Sequence, residues 1–189
     1  PFGRALRRAQ QVTQRSFHNV QAFKGSKMSP LIVFSHLRWN FVFQRPQHLM
    51  TRLAAHHPIV FFEEPLYHAG EPHLEQYEAA PNIIVARPHT PVQSHGFHDE
   101  QLPVLRQLLD RMVASLGLED YTAWLYTPMA LPLLQQLRPR AIVYDCMDEL
   151  SAFKNAPPEL IAFEQQLLRR ADVVFTGGQS LYDAKKSRH

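Results

Sequence analysis

Short apolar runs alternate with longer amphipathic stretches along most of this chain, and their order predicts its architecture. Leu31-Ile32-Val33-Phe34 is too short for a helix and rich in β-branched residues, so it predicts a strand buried on both faces. The polar stretch Ser35 to Gln44 follows as a loop. A helix is expected from Arg45-Pro46, because proline is tolerated in a first turn where no N–H donor is required, and Leu49, Met50 and Leu53 give it an apolar stripe. Pro58 to Glu64 (PIVFFEE) predicts a second strand that ends in acids before Pro65. Residues 65–81 mix proline, glycine and glutamate with little periodicity and predict surface loop. Asn82 to Arg87 predicts a third short strand, and Pro88 to Phe97, with His89 and His95, a loop. From Asp99 on, Leu102, Leu105, Leu108, Leu109, Met112, Val113 and Leu116 recur at helical spacing, with Gly117 as a C-cap. Strands are expected at Ala123–Tyr126, Ala141–Asp145 and Val173–Thr176. Helices are expected at Pro128–Leu137 and Pro158–Arg170, and a last one after Gly177-Gly178-Gln179-Ser180, with Ser180 as its N-cap.

This alternation implies an α/β fold, a Rossmann-like, doubly wound and mainly parallel sheet with helices on both faces. Such sheets bind ligands outside the carboxyl ends of their strands, so the chemistry is expected in the loops around Ser35–Gln44, Tyr126–Thr127, Asp145–Glu149 and Gly177–Ser180.

Composition narrows the picture. The 189 residues suffice for about one domain with a sizeable core. Cys146 is the single cysteine, which excludes an intrachain disulfide and a cysteine-only zinc site and fits a reducing, cytoplasmic location. No run in the sequence approaches the roughly 18 apolar residues of a membrane span, although a peripheral contact at the inner membrane face stays open. The net charge of +3 is unevenly spread: residues 1–27 hold Arg4, Arg7, Arg8, Arg15, Lys24 and Lys27 and no acid, so the rest is net negative. That distribution argues against a nucleic-acid partner. Three readings of 1–27 stand: a disordered or helical extension, a piece of an upstream domain, or a membrane-surface helix. All place the segment outside the core, which is assigned to 28–189. The final residues, Leu181 to His189, look like a helix whose next strand would lie beyond them.

The candidate chemistry is concentrated in the strand-end loops. In the first, Arg38 and Arg45 suit phosphate or carboxylate groups, Trp39 can stack on a sugar or lipid face, and His36 can accept a proton. Alternatively Trp39, Phe41 and Phe43 form a packed lid over solvated arginines. Asp145, Asp148 and Glu149 place three carboxylates within a short span, where mutual repulsion would raise one pKa and make a general base. The plainer alternative is that Asp148 or Glu149 caps the following turn while Asp145 bonds backbone donors. Gly177 and Gly178 permit close backbone approach and, with Gln179 and Ser180, suggest an anion cradle, unless they are a simple tight turn. No histidine pair has metal-ligand spacing, so no metal is expected. Cys146 reads as a small buried residue, since nothing basic adjoins it to make it a nucleophile.

Three runs together carry a resemblance: Tyr126-Thr127-Pro128-Met129-Ala130-Leu131-Pro132-Leu133-Leu134, then Ala141-Ile142-Val143-Tyr144-Asp145-Cys146-Met147-Asp148, then Arg170-Ala171-Asp172-Val173-Val174-Phe175-Thr176. They resemble the N-terminal half of a GT-B glycosyltransferase of the group 1, family 4-like kind. The opening Phe34-Ser35-His36 and Gln44-Arg45-Pro46-Gln47-His48-Leu49 are similar to a subset with an RPQHL signature that resembles teichuronic-acid and exopolysaccharide glycosyltransferases, sometimes joined to UDP-galactopyranose mutase. The resemblance covers about Ser29 to Arg188. It implies one half of a two-domain enzyme, with the donor-binding half beyond this chain, and with no cofactor other than a nucleotide-diphosphate sugar as substrate. The acceptor it implies is a carbohydrate or lipid-linked hydroxyl in cell-surface polysaccharide synthesis. Where the family has histidines, this chain has Tyr126, Thr127 and Met147, so the usual catalytic histidine does not carry over. With that histidine absent, Asp148 is the expected base, with Asp145 structural or assisting and His36 as the rival. Arg38, Trp39, Arg45 and Gln47 are the expected acceptor-side residues, and Gly177, Gly178 and Gln179 are expected to face the interdomain cleft. The alternatives are a non-catalytic GT-B-like interaction module and part of a sugar-nucleotide-modifying enzyme such as a mutase fusion. The missing dinucleotide G-x-G-x-x-G fingerprint counts against the latter.

Overall fold

The computed structural model describes residues 28–189; the basic segment 1–27 lies outside the described residues. Strand β1 (Leu31–Ser35) is central and every one of its residues is buried, as a continuous apolar run requires. It is flanked in parallel by β2 (Ile59–Glu63) and β6 (Thr122–Leu125). Beyond β2 lies β5 (Ile83–Thr90), and beyond β6 lie β7 (Ala141–Cys146) and β8 (Val173–Thr176), all parallel. The two-residue β3 (Leu66–Tyr67) pairs with the end of β5 at His89 and Thr90, and β4 (His73–Ala80) runs antiparallel along β5. The sheet is therefore parallel except for β4, and its chain order reverses direction between β1 and β6.

Helix α1 (Arg45–Leu53) joins β1 to β2 on one face, where Met50 packs with Leu31, Val33, Ile59, Phe61 and Trp124. The other face carries α2 (Leu102–Leu116), a 3-10 segment over Pro128–Gln135, and α3 (Glu159–Arg170), which bury Ile32, Phe34, Val60, Phe62 and Leu125. Alternate residues of each strand thus belong to different cores, the period-two consequence of a sheet covered twice.

Several expectations are corrected. Residues 65–81 are not loop: β3 and β4 lie there, closed onto β5 by Pro81-Asn82, with Asn82 in the left-handed region at φ 63 and its amide bonded to the Ala54 carbonyl at 3.0 Å. The third strand runs to Thr90, so the loop after it is shorter than expected. The segment after Thr127 is 3-10 helix rather than α-helix, because Pro132 sits inside it and withholds an N–H. The last helix, α4 (Gln179–Lys185), begins after Gly178, so Ser180 is not its N-cap. Gly117 does close α2 in the left-handed conformation, at φ 62. The C-terminal elements are pinned from inside: the buried ammonium of Lys185 on α4 lies 2.7 Å from both Glu149 and Glu164, and Tyr144 donates to Glu164 at 2.9 Å.

Glu63, fully buried at the end of β2, fixes the loop that leaves β1. It accepts from Arg87 Nε at 2.6 Å, from the Trp39 backbone N–H at 2.7 Å and from Arg38 at 3.2 Å. Removing it leaves two guanidinium groups facing each other with no anion between them. We expect Glu63→Ala to destabilise the fold by about 3 kcal/mol, read as a lower urea midpoint at unchanged slope.

Candidate functional site

The strand order reverses between β1 and β6, and the carboxyl ends of strands at such a switch point are where open α/β sheets place ligands. His36 stands there. Ser35 turns the chain out of β1 by accepting from the Leu37 N–H at 3.0 Å. His36 is partly buried, and its Nδ1 is buried with no hydrogen-bond partner. Burial lowers its pKa below the ordinary imidazole value, while the Asp148 carboxylate and the Tyr126 backbone act in the opposite direction. Burial thus favours the uncharged form of the ring, while Asp148 and the Tyr126 backbone favour the charged one.

The Asp145-to-Glu149 segment does not place its carboxylates together. Asp145, fully buried, is held by Arg45 Nε at 3.0 and 3.2 Å. Glu149 pairs with Lys185; burial would raise its pKa, but bonds from Lys185 and Ser151 outweigh that and lower it. Asp148 is exposed and acts on His36. The Asp145 pKa is raised, yet by burial against the pull of Arg45 rather than by repulsion among neighbours. Asp145 bonds a side chain instead of backbone donors, and Glu149 makes no side-chain cap. Trp124 and Tyr126 influence the Asp145 carboxylate, although neither Trp124 Nε1 nor Tyr126 Oη makes a hydrogen bond of ordinary geometry. Thr127, the other departure from the expected histidine motif, accepts from Met129 N–H at 3.3 Å and caps the 3-10 segment.

The expected acceptor-side residues divide into two kinds. Arg38 is bound to Glu63, to the Glu64 carbonyl and to the Pro65 carbonyl at 3.2 Å, so it braces the loop. Gln47 is buried and likewise braces it: its Oε1 accepts from Gln44 N–H at 3.0 Å and its Nε2 donates to the Trp39 carbonyl at 2.9 Å. Trp39 packs edge-on against Phe61 with centroids 5.1 Å apart. Arg45 differs, because Asp145 takes only its Nε; among the described residues the terminal nitrogens make no hydrogen bond, and the side chain is 37% exposed. The packed-lid alternative does not hold, since Phe41 and Phe43 are 79% and 61% exposed. Neither are the arginines simply solvated.

Gly177 is required for a reason internal to the protein. A Cβ there would stand 2.2 Å from the Met147 carbonyl oxygen, and its N–H donates to the Cys146 carbonyl at 2.8 Å. The close approach expected of a ligand is made by Met147. Gly178 and Gln179 are exposed at the end of β8, and Gln179 bonds Asp183 at 3.1 Å. Cys146 is buried, and burial pushes its thiol pKa up. Among the described residues no group of histidine, cysteine and carboxylate side chains is placed to hold a metal ion, and no helix is long and apolar enough to cross a membrane. Sequence reading passed over Glu63 and Glu64; the acids closing the apolar run PIVFFEE were the available signal.

No family model and no curated protein matches the chain. Among solved structures, it is similar to sucrose-phosphate synthase from Thermosynechococcus elongatus, at 14% identity and a TM-score of 0.55 over 78% of this chain. It is also similar to the E. coli trehalose-6-phosphate protein bound with UDP-2-fluoro glucose, at 18% identity and a TM-score of 0.48 over 77% of this chain. The chain spans 42% and 39% of their lengths. The first likeness supports the fold, a Rossmann-like half of GT-B type.

Two outcomes follow from this geometry. Gly177→Ala forces Met147 and β8 apart and should destabilise by about 1–3 kcal/mol, seen as a lower melting temperature. By NMR, the His36 imidazole should titrate below its ordinary value, and lower still in Asp148→Asn. Since its folded pKa lies below the unfolded one, its contribution to stability is full above about pH 6.5 and declines as pH falls.

Proposed function

We propose that this chain is the acceptor-binding half of a glycosyltransferase that moves a sugar from a nucleotide-diphosphate donor to a hydroxyl of a carbohydrate or lipid-linked acceptor. The observation that carries the reading is the placement of His36, with a pKa lowered by burial and Asp148 acting on it, at the topological switch point of a GT-B-type half. His36 takes the proton of the acceptor hydroxyl as its oxygen bonds the anomeric carbon. The bond from that carbon to the diphosphate breaks, and the diphosphate leaves with the electron pair. Asp148 stabilises the imidazolium that forms, which is a better role for an exposed carboxylate than that of the base itself, since water reaches it freely. Arg45, oriented through Nε by buried Asp145, offers its terminal nitrogens to a phosphate or carboxylate of the substrates. The donor-binding half belongs to the full-length protein on this reading, and no resident cofactor is required.

The RPQHL signature and the three strand-end motifs extend the proposal to cell-surface polysaccharide synthesis in the cytoplasm, with the acceptor reached at the inner membrane face. Neither the non-catalytic module nor the mutase-type enzyme is favoured.

The test is steady-state transfer by the full-length protein with a panel of nucleotide-diphosphate sugars. His36→Ala should lower kcat by about 10²–10⁴-fold with little change in KM or melting temperature, and Asp148→Asn by a smaller factor. Near-normal turnover in His36→Ala would remove His36 from catalysis, and absence of transfer from every donor would refute the function.

A further inference from the structure

A concavity of about 480 Å³ lies over the carboxyl ends of β2, β3 and β5 and is lined by Arg38, Glu64, Tyr67, His89, Ser94 and Gly96 among others. Its size is that of small-molecule sites. Glu64 dominates its chemistry. The backbone carbonyl of Glu64 is bound by Arg38, but its carboxyl makes no hydrogen bond among the described residues. Burial, opposed by the Arg38 charge, pushes its pKa up to about 7. A partly buried acid without a partner asks for one.

The wall facing that acid is built and stiff. Gly96 sits at φ +64, and a Cβ there would come within 2.9 Å of Glu64 Oε1, so the glycine keeps the space beside the carboxyl clear. The buried side chain of Gln101 holds the 91–96 loop from behind, donating to the carbonyls of Val92 at 3.2 Å and Ser94 at 2.6 Å while accepting from Thr90 at 2.7 Å.

The charges around Glu64 select the ligand. Arg38, from the loop after β1, is paired with Glu63; His89, from β5, faces Glu75 at 3.0 Å; His95 and Tyr67 complete the titratable groups of the lining. Arg38 is committed to Glu63 and to two backbone carbonyls, so the group left for a ligand is the Glu64 carboxyl, which is uncharged below about pH 7. A neutral diol meets a carboxyl group that can donate and accept at once. Tyr67 and Leu66, 58% and 40% exposed at the rim, present apolar surface to the C–H face of a ring.

We propose that this cavity binds a neutral sugar ring, gripped through two adjacent hydroxyls by the Glu64 carboxyl and laid against Tyr67. That the ring is part of the acceptor rests on the function proposed above; that the cavity takes a neutral pyranose does not.

The test is saturation-transfer NMR with titration on the 189-residue chain, using the methyl α-pyranosides of glucose, galactose and mannose at pH 6 and 8.5, with glucosamine as the cationic probe at pH 6. At least one methyl pyranoside should bind with Kd on the order of 1–10 mM, more tightly than glucosamine and more tightly at pH 6. Glu64→Leu should weaken it about tenfold or more, and Glu64→Gln should retain binding while removing the pH dependence. Folding is followed by melting temperature. Because the folded pKa of Glu64 is raised, its contribution is full below the ordinary carboxyl pKa of 4.5 and lost as pH rises through about 7. Glu64→Gln should therefore melt above the native protein at pH 8.5 and not at pH 4. Equal melting at pH 8.5, preference for glucosamine, undiminished binding by Glu64→Leu, or no pyranoside bound at 100 mM would each overturn the proposal. Binding requires neither donor nor turnover, so a protein that binds but does not transfer refutes the transferase reading alone. Conversely, transfer unaffected by Glu64→Leu refutes only the assignment of the bound ring to the acceptor.

Discussion

Glu63 is the group on which the upper surface of this sheet depends. A carboxylate buried at the end of an apolar strand carries a large desolvation cost, and it persists only because donors converge on it. Here they are two arginines and a backbone amide, drawn from the loop after β1 and from β5. That convergence makes an otherwise flexible ten-residue excursion into a fixed surface. Gln47 completes the work from α1 by holding the Arg38–Trp39 carbonyl side of the same loop. The loop then delivers His36 to the switch point and Arg38 to the wall of the neighbouring cavity.

A second buried carboxylate repeats the device on the other side of the switch point. Asp145 is covered by Arg45, which spans from the first turn of α1 to the end of β7. The pair joins two elements 100 residues apart in the chain, so the first turn of α1 is tied to the end of β7. Burial raises the Asp145 pKa and Arg45 opposes it, which ties the arginine's orientation to the ionisation of an acid that solvent does not reach. The Met147–Gly177 contact fixes the remaining wall by backbone alone. The carboxylates of this region thus act apart: one orients an arginine, one tunes a histidine, and one helps neutralise the buried lysine of α4.

On the proposed function, the switch point and the cavity form one acceptor surface. His36 and Arg38 lie two residues apart on the same braced loop, so a hydroxyl presented to His36 and a ring seated at Glu64 are positioned by a single rigid segment. Preorganisation of this kind reduces the ordering cost of binding, and it requires that the residues nearest the ligand be held by others that never touch it. Gln47, Glu63 and Gln101 are such residues.

The succession of elements was legible in the sequence because burial on both faces of a parallel strand writes an apolar run, and burial of one helix face writes a 3.6-residue period. β1, β2, β6, β7, β8 and the helices α1, α2 and α3 follow from those local signals. β4 did not, because an edge strand with solvent beside it keeps polar residues such as Glu75, Gln76 and Glu78, and its alternation is weak. The 3-10 course of Pro128–Gln135 was open to inference from Pro132, but its apolar stripe reads equally as α-helix. His36, Arg45 and Asp145 were visible as chemistry-bearing residues at strand ends, while their partners were not. Arg45 and Asp145 stand 100 residues apart in the chain, and Glu63 meets its three partners from 24 or 25 residues away. The sequence by itself determined which segments would be buried, since burial leaves a periodic local record. Only the tertiary structure decided which charges would meet, because ion pairing depends on distance in space and leaves no period along the chain.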